Sequence, residues 1–241
     1  MATITGLASC KAITYLDCED CAITDLSAVQ SMNNIETLLA RNNKLSTLDV
    51  SQSWYLNNLR VSGNTLLTTL KCYYCDLTNL QVTGCSSLTY LDCTFNKLTS
   101  LDVTGCTALN RLEIYFNNIN GTGMTTLVNS LPTRSASNKG TMLAIHINDN
   151  NSMTAAQITT ARNKYWLPQK YNGSAWVDLT ASTRGDVNGD GSVTISDVTA
   201  LIDILLSGQT PPQAADCNLD NEISISDVTT LIDFLLSGNW N

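Results

Sequence analysis

The feature that most restricts the fold of this chain is a repeat that fills its first half. Leu70, Leu91 and Leu112 lie 21 residues apart, and five stretches share the pattern L-x-x-L-x-L-x-x-N/C-x-L. A turn with one apolar side has no core of its own, so successive turns must stack and share a core. The pattern predicts a solenoid with a parallel β-sheet, whose strands lie about 4.8 Å apart.

The ninth place of the pattern holds Asn or Cys, as in leucine-rich repeats. We expect this side chain at an inward bend, where it must satisfy buried backbone groups. Asn donates and accepts hydrogen bonds, whereas Cys does both weakly. The residues expected to form one such ladder are Cys21, Asn43, Asn64, Cys75, Asn96 and Asn117.

One stretch departs from the period, because the pattern at 56–66 begins only eleven residues before the next one. Two explanations stay open. Either half a turn is missing, or the two halves of the repeat are similar enough to exchange roles.

The chain has nine cysteines, an odd number. Most occupy places that Leu or Asn fills in other turns, and small buried thiols are common in cores. Cys72 and Cys93, like Cys85 and Cys106, are one turn apart and within potential reach of a disulfide. Free thiols are the expected state, because the spacing of the cysteines is already explained by their replacing Leu or Asn at repeat positions.

The period ends after Ile119. Helices are expected near 123–131 and 154–164, with strands near 141–147 and 166–179, which suits a cap on the exposed end of a solenoid. The expected organisation is a solenoid (1–119), an α/β cap (120–180), a linker (181–185) and a small helical domain (186–241).

Charge is concentrated at the end of the chain. Residues 184–241 contain nine acidic residues and one Arg, so they carry the whole net charge of −8. An acidic module favours a bound cation and disfavours nucleic acid, which needs clustered Lys and Arg. No apolar run reaches the roughly 18 residues that span a bilayer, and no signal peptide is visible.

Two segments, 186–197 and 216–227, follow the EF-hand loop spacing. Calcium takes six to eight oxygens, and such a loop supplies them from positions one, three, five, seven, nine and twelve, the seventh through its backbone carbonyl and the ninth through water. An apolar helix follows each loop. The predicted ligands of two calcium ions are Asp186, Asn188, Asp190, Ser192, Thr194 and Asp197, and then Asp216, Asn218, Asp220, Glu222, Ser224 and Asp227.

Two loop–helix halves without an entering helix resemble a type I dockerin, and the preceding repeats and cap resemble leucine-rich-repeat proteins secreted by anaerobic bacteria. The resemblance implies a small all-α domain of paired EF-hand-like halves, an extracellular or cell-surface location and a protein partner such as a cohesin. The partner is either a cohesin-like module or the chain's own repeat domain.

The likeness to dockerins has one departure. Ile202-Asp203 and Ile232-Asp233 stand where cohesin-binding dockerins usually carry a Lys/Arg pair. The tenth and eleventh loop positions, often a specificity pair in that family, are the candidate docking residues Ile195, Ser196, Ile225 and Ser226.

The repeat also has a candidate ligand face. In the first three turns, the two residues just before the ladder residue are polar or small, whereas each of the last three turns has an aromatic residue there. A core requirement would act on every turn alike, so a change confined to one end of the repeat suggests a local binding role. Contiguous exposed aromatics mark binding sites. The candidate residues are Tyr73, Tyr74, Phe95, Tyr115 and Phe116; the alternative is that they belong to the core.

No catalytic constellation is found, and the lone His146 lies in an apolar strand segment. The sequence therefore predicts a binding protein, not an enzyme. In the first hypothesis it is an adaptor, whose repeats bind a protein or glycan and whose calcium domain docks to a partner. In the second it is a structural or adhesive surface protein that calcium only stabilises.

Overall fold

The computed structural model describes residues 2–4, 6–180, 184–188 and 193–240. The chain divides into two compact units, 1–179 and 180–241. The first is a coil of short parallel strands closed by an α/β cap, and the second is a pair of helices with their preceding loops. The predicted solenoid followed by a small helical domain is confirmed.

The regular elements are short in the solenoid and longer in the cap and the C-terminal unit. In chain order the strands are β1 (Ala2–Thr3), β2 (Tyr15–Asp17), β3 (Ile23–Asp25), β4 (Thr37–Leu39), β5 (Thr47–Asp49), β6 (Asn58–Arg60), β7 (Thr69–Lys71), β8 (Asn79–Gln81), β9 (Tyr90–Asp92), β10 (Arg111–Glu113), β11 (Gly140–Ile145), β12 (Trp166–Tyr171) and β13 (Trp176–Asp178). The α-helices are α1 (Gly121–Ser130), α2 (Ala155–Asn163), α3 (Ile195–Ser207) and α4 (Ile225–Ser237).

Apart from β1 and β3, which form a separate two-stranded parallel sheet, the solenoid strands alternate between two parallel sheets rather than forming one. The first sheet has the order β2-β4-β6-β8, and the second begins β5-β7-β9-β10 and continues into the cap. Leu59 of β6 pairs in register with Leu38 and Leu80, while Leu48 of β5 pairs with Leu70. No half-turn is missing at 56–66, because the two halves of the repeat exchange sides there.

Bend length shows where the exchange happens. Four residues separate Ala40 from Leu45 in a tight bend, and five separate Val50 from Leu56 in a long one. In the early turns, the tight bends follow strands of the first sheet; from Cys72 onward, they follow strands of the second sheet. The tight bends change sides because two long bends, 50–56 and 61–67, come one after the other.

The single ladder expected from the sequence is therefore wrong, since its members lie on two sides of the coil. In the solenoid, the ladder position lies three places after the last inward residue of each strand, whatever the length of the bend. One side holds Cys21, Asn43, Asn64, Cys85 and Cys106 at this position, and the other holds Ser53, Cys75, Asn96 and Asn117; Asn151 of the cap continues the second ladder from a place seven residues after Ala144.

Asn96 shows what a ladder residue does. Its Oδ1 accepts the backbone N–H of Leu77 at 2.9 Å, and its Nδ2 donates to the carbonyls of Cys72 (2.8 Å) and Cys93 (3.0 Å). One buried amide thus satisfies backbone groups of two successive turns. Cys75 fills the same place with a weaker bond, from Sγ to the carbonyl of Val50.

All nine cysteines are free thiols, and seven of them are buried. Burial raises the pKa of Cys75 and of Cys106 to about 12 and that of Cys85 to about 11. At neutral pH these groups stay protonated, and a protonated thiol is neither a nucleophile nor a metal ligand. Their part is to fill the core and donate to bend carbonyls.

The cap continues the second sheet, as β11 and β12 add in parallel and β13 closes the edge antiparallel. Trp166 is completely buried, and its Nε1 donates to the carbonyl of Pro132 at 2.8 Å. A Cβ at Gly140 would lie 2.5 Å from the Trp166 ring, so only glycine fits beside it. Asn151 extends the ladder into the cap by donating to Ile114 and Ala144.

The C-terminal unit pairs α3 and α4 around its own small core, which includes Val198, Leu201 and Leu231. Each helix ends at a glycine in the left-handed region, Gly208 (φ 67°) and Gly238 (φ 74°). Among the described residues, no helix of either unit is long and apolar enough to cross a membrane.

Replacing Asn96 with Ala should lower the free energy of unfolding by about 1–3 kcal/mol, because buried bend groups lose their partners. Asn96→Cys should lose less, since a thiol can donate as Cys75 does. Urea unfolding of the full chain measures both. Asn110→Ala, at an exposed asparagine, is the control. An equal loss for Asn96→Ala and the control would contradict the ladder.

Candidate binding surfaces

The aromatic residues singled out in the sequence come together on the second side of the solenoid. The rings of Tyr74 and Phe95 stack with centroids 4.0 Å apart, and Phe95 and Phe116 are 4.5 Å apart. Tyr73 and Tyr115 flank this stack edge-on. None of the five is fully buried, so they do not form core.

The stack runs further than the sequence indicates. His146 lies 4.7 Å from Phe116, and Tyr171 lies 4.6 Å from His146. His146 follows β11 instead of lying within it, which corrects its expected place in a strand. We call Tyr74, Phe95, Phe116, His146 and Tyr171 the aromatic ridge. The last two were missed because they lie in the non-repetitive cap.

Three ridge residues have a backbone conformation that bulky residues avoid. Tyr74, Phe95 and Phe116 have φ of 51°, 54° and 56°. A left-handed conformation costs an L-residue about 1–2 kcal/mol. The equivalent place on the other side holds Asp20, Asn42 and then glycines. Ring stacking, worth about 0.5–1.5 kcal/mol a pair, offsets much of this cost.

Stacking also decides what the ridge shows to solvent. Phe95 has a ring on each face, Tyr74 and Phe116, and Phe116 lies between Phe95 and His146. The faces of Phe95 and Phe116 are therefore largely taken up by neighbouring rings, which leaves little open face for stacking on a sugar. A packed cluster of partly exposed rings suits the apolar side chains of a protein.

Beside the ridge, two carboxylates meet in register on β9 and β10. Asp92 and Glu113 are both buried; burial raises the pKa of Asp92, and Glu113 raises it further. Glu113 is held by Arg111 at 2.7 Å, and Asp92 accepts from the hydroxyl of Thr94 at 2.8 Å. Asp17, which follows the same leucine of the repeat pattern, lies in the first sheet and is not part of this pair.

The second calcium loop is described in full. Asp216 accepts the backbone N–H of Asp220 and of Asn221, each at 3.1 Å, and Asn218 accepts that of Asp220 at 3.0 Å. Leu219 and Asn221 turn the chain with φ of 63° and 67°. The side-chain oxygens at positions one, three and five thus point into a coiled loop.

The twelfth position of each loop holds a completely buried carboxylate. Asp227 accepts N–H groups from Cys217 (2.7 Å), Asn218 (3.1 Å) and Ser224 (2.8 Å). Asp197 does the same for Asn188 and Thr194 in the first loop. Each carboxylate therefore ties the loop to the start of its helix.

Two further predicted ligands have a helix-capping role. The hydroxyls of Thr194 and Ser224 accept the backbone N–H of Ser196 and Ser226 and begin α3 and α4. Asp186 is buried and Glu222 is exposed. Asp190 and Ser192 lie outside the described residues.

The donor set of the second loop fits a hard cation, because Asp216, Asn218, Asp220 and Asp227 all supply oxygen. No three carboxylate, thiol or imidazole groups converge within the described parts of the chain. The fit therefore rests on the oxygen chemistry of the loop and on its coiled path.

The candidate docking residues lie at the start of the two helices. Ile195 and Ile225 are 72% and 69% exposed, and Ser196 and Ser226 bond to loop residues Asn188 and Asn218 at 3.0 Å. Further exposed side chains follow at helical spacing. We call Ile195, Ile202 and Leu206 on α3, and Ile225, Ile232 and Leu236 on α4, the apolar stripes.

Comparison with known proteins assigns the C-terminal unit. Residues 184–236 match the family model of the dockerin type I domain. No match is found among curated proteins. The chain is a leucine-rich-repeat solenoid followed by a unit similar to type I dockerins, which bind calcium and serve in protein–protein interaction rather than catalysis.

Two solved structures from Listeria monocytogenes are similar to the chain. One is the functional domain of InlJ, described as including a cysteine ladder, with 22% identity, a TM-score of 0.26 and coverage of 58% of this chain. This chain spans only 32% of that one. The other is internalin C2, with 20% identity, a TM-score of 0.31 and coverage of 70% of this chain and 77% of its own.

Calcium titration of the full chain should show two binding events and raise the melting temperature, since a ligand at 100 times its Kd adds about 2.7 kcal/mol to stability. Asp220→Asn should weaken one site about tenfold, because one charged ligand oxygen is lost. Calorimetry and thermal melting with and without chelator measure these effects.

Asp233→Asn is the matched control, because it removes the same charge from an exposed place on α4 outside the loop. If it weakens calcium binding as much as Asp220→Asn, general acidity rather than the loop attracts the ion. Absence of any calcium-dependent change would rule out both sites.

Proposed function

We propose that this chain is a non-catalytic extracellular adaptor. Its repeat unit binds one protein, and its C-terminal unit docks to another, such as a cohesin-like module. The observation that carries the proposal is the pair of apolar stripes on α3 and α4, an exposed surface that the unit's own core does not use. Large apolar side chains that stay exposed at the same places of both helices favour an interface.

Equivalent residues of the two stripes are exposed to nearly the same extent. Leu206 and Leu236 are 82% and 83% exposed, and the exposures of Ile195 and Ile225 are also similar. The partner therefore meets an apolar surface, where cohesin-binding dockerins usually carry a Lys/Arg pair. We infer a partner whose docking face is more apolar than that of a conventional cohesin.

Calcium would be held by the oxygens of Asp216, Asn218, Asp220 and Asp227 in the second loop, and by the corresponding residues of the first. When bound, the ion supplies positive charge that neutralises the crowded carboxylates. Asp197 and Asp227 link each loop to the first turn of its helix. Calcium bound in the loop would therefore help to hold the helix, and the stripe that it carries, in place.

The aromatic ridge is the proposed ligand surface of the repeat unit. Its closely packed, partly exposed rings favour apolar side chains of a protein over the face of a sugar. An extracellular location is consistent with the dockerin match, since such domains are typically found outside the cell.

Changing Ile195 and Ile225 together to Asn should abolish docking, because each buried Ile side chain contributes about 1.5–3 kcal/mol at an interface. Asn is neutral, so the charge of the calcium loops is unchanged. Surface plasmon resonance against a panel of cohesin modules, which range from conventional ones to ones with more apolar docking faces, measures the effect with calcium present. Leu66→Asn, at an exposed leucine of the solenoid, is the control.

If the double variant binds as the parent does, docking does not use the stripes. If the parent chain binds no cohesin module and calcium only raises its melting temperature, the structural or adhesive hypothesis is favoured instead.

Phe95→Asn tests the aromatic ridge. Asn tolerates the left-handed conformation, as Asn42 shows at φ 51°, so the bend should keep its path without the ring. Peptides selected from a display library on the full chain should be rich in apolar residues and lose most of their affinity for this variant. Peptides that bind Phe95→Asn and parent equally would contradict a ligand role for the ridge.

A further inference from the structure

An open pocket lies where the two bend types meet on the second side of the solenoid. It has a volume of about 420 Å³, within the range of small-ligand sites. Three successive bends contribute to it. Its lining residues are Gln30, Asn33, Asn34, Ser51, Gln52, Trp54, Tyr55 and Tyr73.

The pocket follows from the geometry of the coil. The long bend 50–56 lies next to the tight bend 72–77. The bend before them contains the 3-10 helix Ser27–Ser31. Bends of unequal length cannot stack flush, so a gap opens between them. In later turns the bends of this side are all tight.

Two large aromatic residues stand in this bend without filling the core. Trp54 and Tyr55 are 64% and 60% exposed. The other long bends hold Thr65-Leu66, Ser86-Ser87 and Thr107-Ala108 at the same two places. The bend therefore does not itself require aromatic rings.

Trp54 is arranged differently from the ridge rings. Its centroid is 6.3 Å from that of Tyr74, and the ring planes are inclined by 49°. Trp54 is 64% exposed, so much of its indole surface is open to solvent, whereas the Phe95 ring lies between two other rings. An open indole face can accept the apolar C–H face of a sugar ring.

The polar lining of the pocket points to the same ligand class. The described lining residues are neutral, and four carry amides: Gln30, Asn33, Asn34 and Gln52. An amide both donates and accepts hydrogen bonds, as does a sugar hydroxyl. A charged ligand would instead call for Arg, Lys or a carboxylate.

We propose that this pocket binds a neutral oligosaccharide, with one sugar ring stacked on Trp54 and its hydroxyls bonded to the surrounding amides. The site lies within the repeat unit, and the proposal does not depend on the adaptor role. Bound sugar would make this end of the solenoid a second recognition site beside the protein-binding ridge.

The test uses the full chain and an array of neutral oligosaccharides that includes cellohexaose, xylohexaose and mannohexaose. At least one should bind saturably and change tryptophan fluorescence. The double variant Trp54→Ser and Tyr55→Ser copies the chain's own Ser86-Ser87 bend, so it should fold. It should weaken binding about tenfold or more, as loss of an aromatic anchor does.

Two further variants keep the result interpretable. Gln30→Ala with Asn33→Ala removes two exposed amides and should also weaken binding, whereas Trp176→Ala, beside the far end of the ridge, should leave it unchanged. The proposal fails if no neutral oligosaccharide binds. It also fails if a charged hexagalacturonate binds equally well, or if Trp176→Ala abolishes binding while the serine double variant retains it.

Discussion

The constraint on which the solenoid depends is that backbone groups buried at every bend must find partners. A coil of 21 residues per turn has two bends, and each places peptide groups against the core where water cannot reach them. The ladder residues resolve this with one side chain per bend, and each Asn connects two turns. Stacking of the leucines is possible only because these groups are satisfied.

The same bends explain why the two sides of the coil differ. Each bend from 40–45 to 114–119 has a residue in the left-handed region, and the first side fills it with Gly63, Gly84 and Gly105 in the later turns. A Cβ at Gly63 would meet the Asn42 side chain at 2.1 Å, and one at Gly105 would lie 3.0 Å from the backbone of Gly84, so a side chain fits poorly at these two bends. The second side has room and holds aromatic rings in the same conformation. A surface for binding thus arises at a place that backbone geometry would give to glycine.

Periodicity predicts the solenoid, the cap elements and the two loop–helix halves, because each reflects a local rule repeated along the chain. It does not predict that the strands divide between two sheets, because both halves of the repeat follow the same pattern. The side on which each strand lies depends on the number of residues in every preceding bend. Asn151 escaped notice because it lies 34 residues after Asn117. Similarly, Trp54 became significant only when the structure placed its bend beside Tyr73.

The equivalence of the two half-turns has an evolutionary consequence. Since each half carries its own inward leucines and its own ladder residue, the smallest stable unit of insertion or deletion is half a turn of ten or eleven residues. Adding one such unit would shift every later tight bend, with its aromatic rings, to the opposite flank of the coil. A lineage of such proteins can therefore relocate its recognition surface in one genetic step while leaving the hydrophobic core intact.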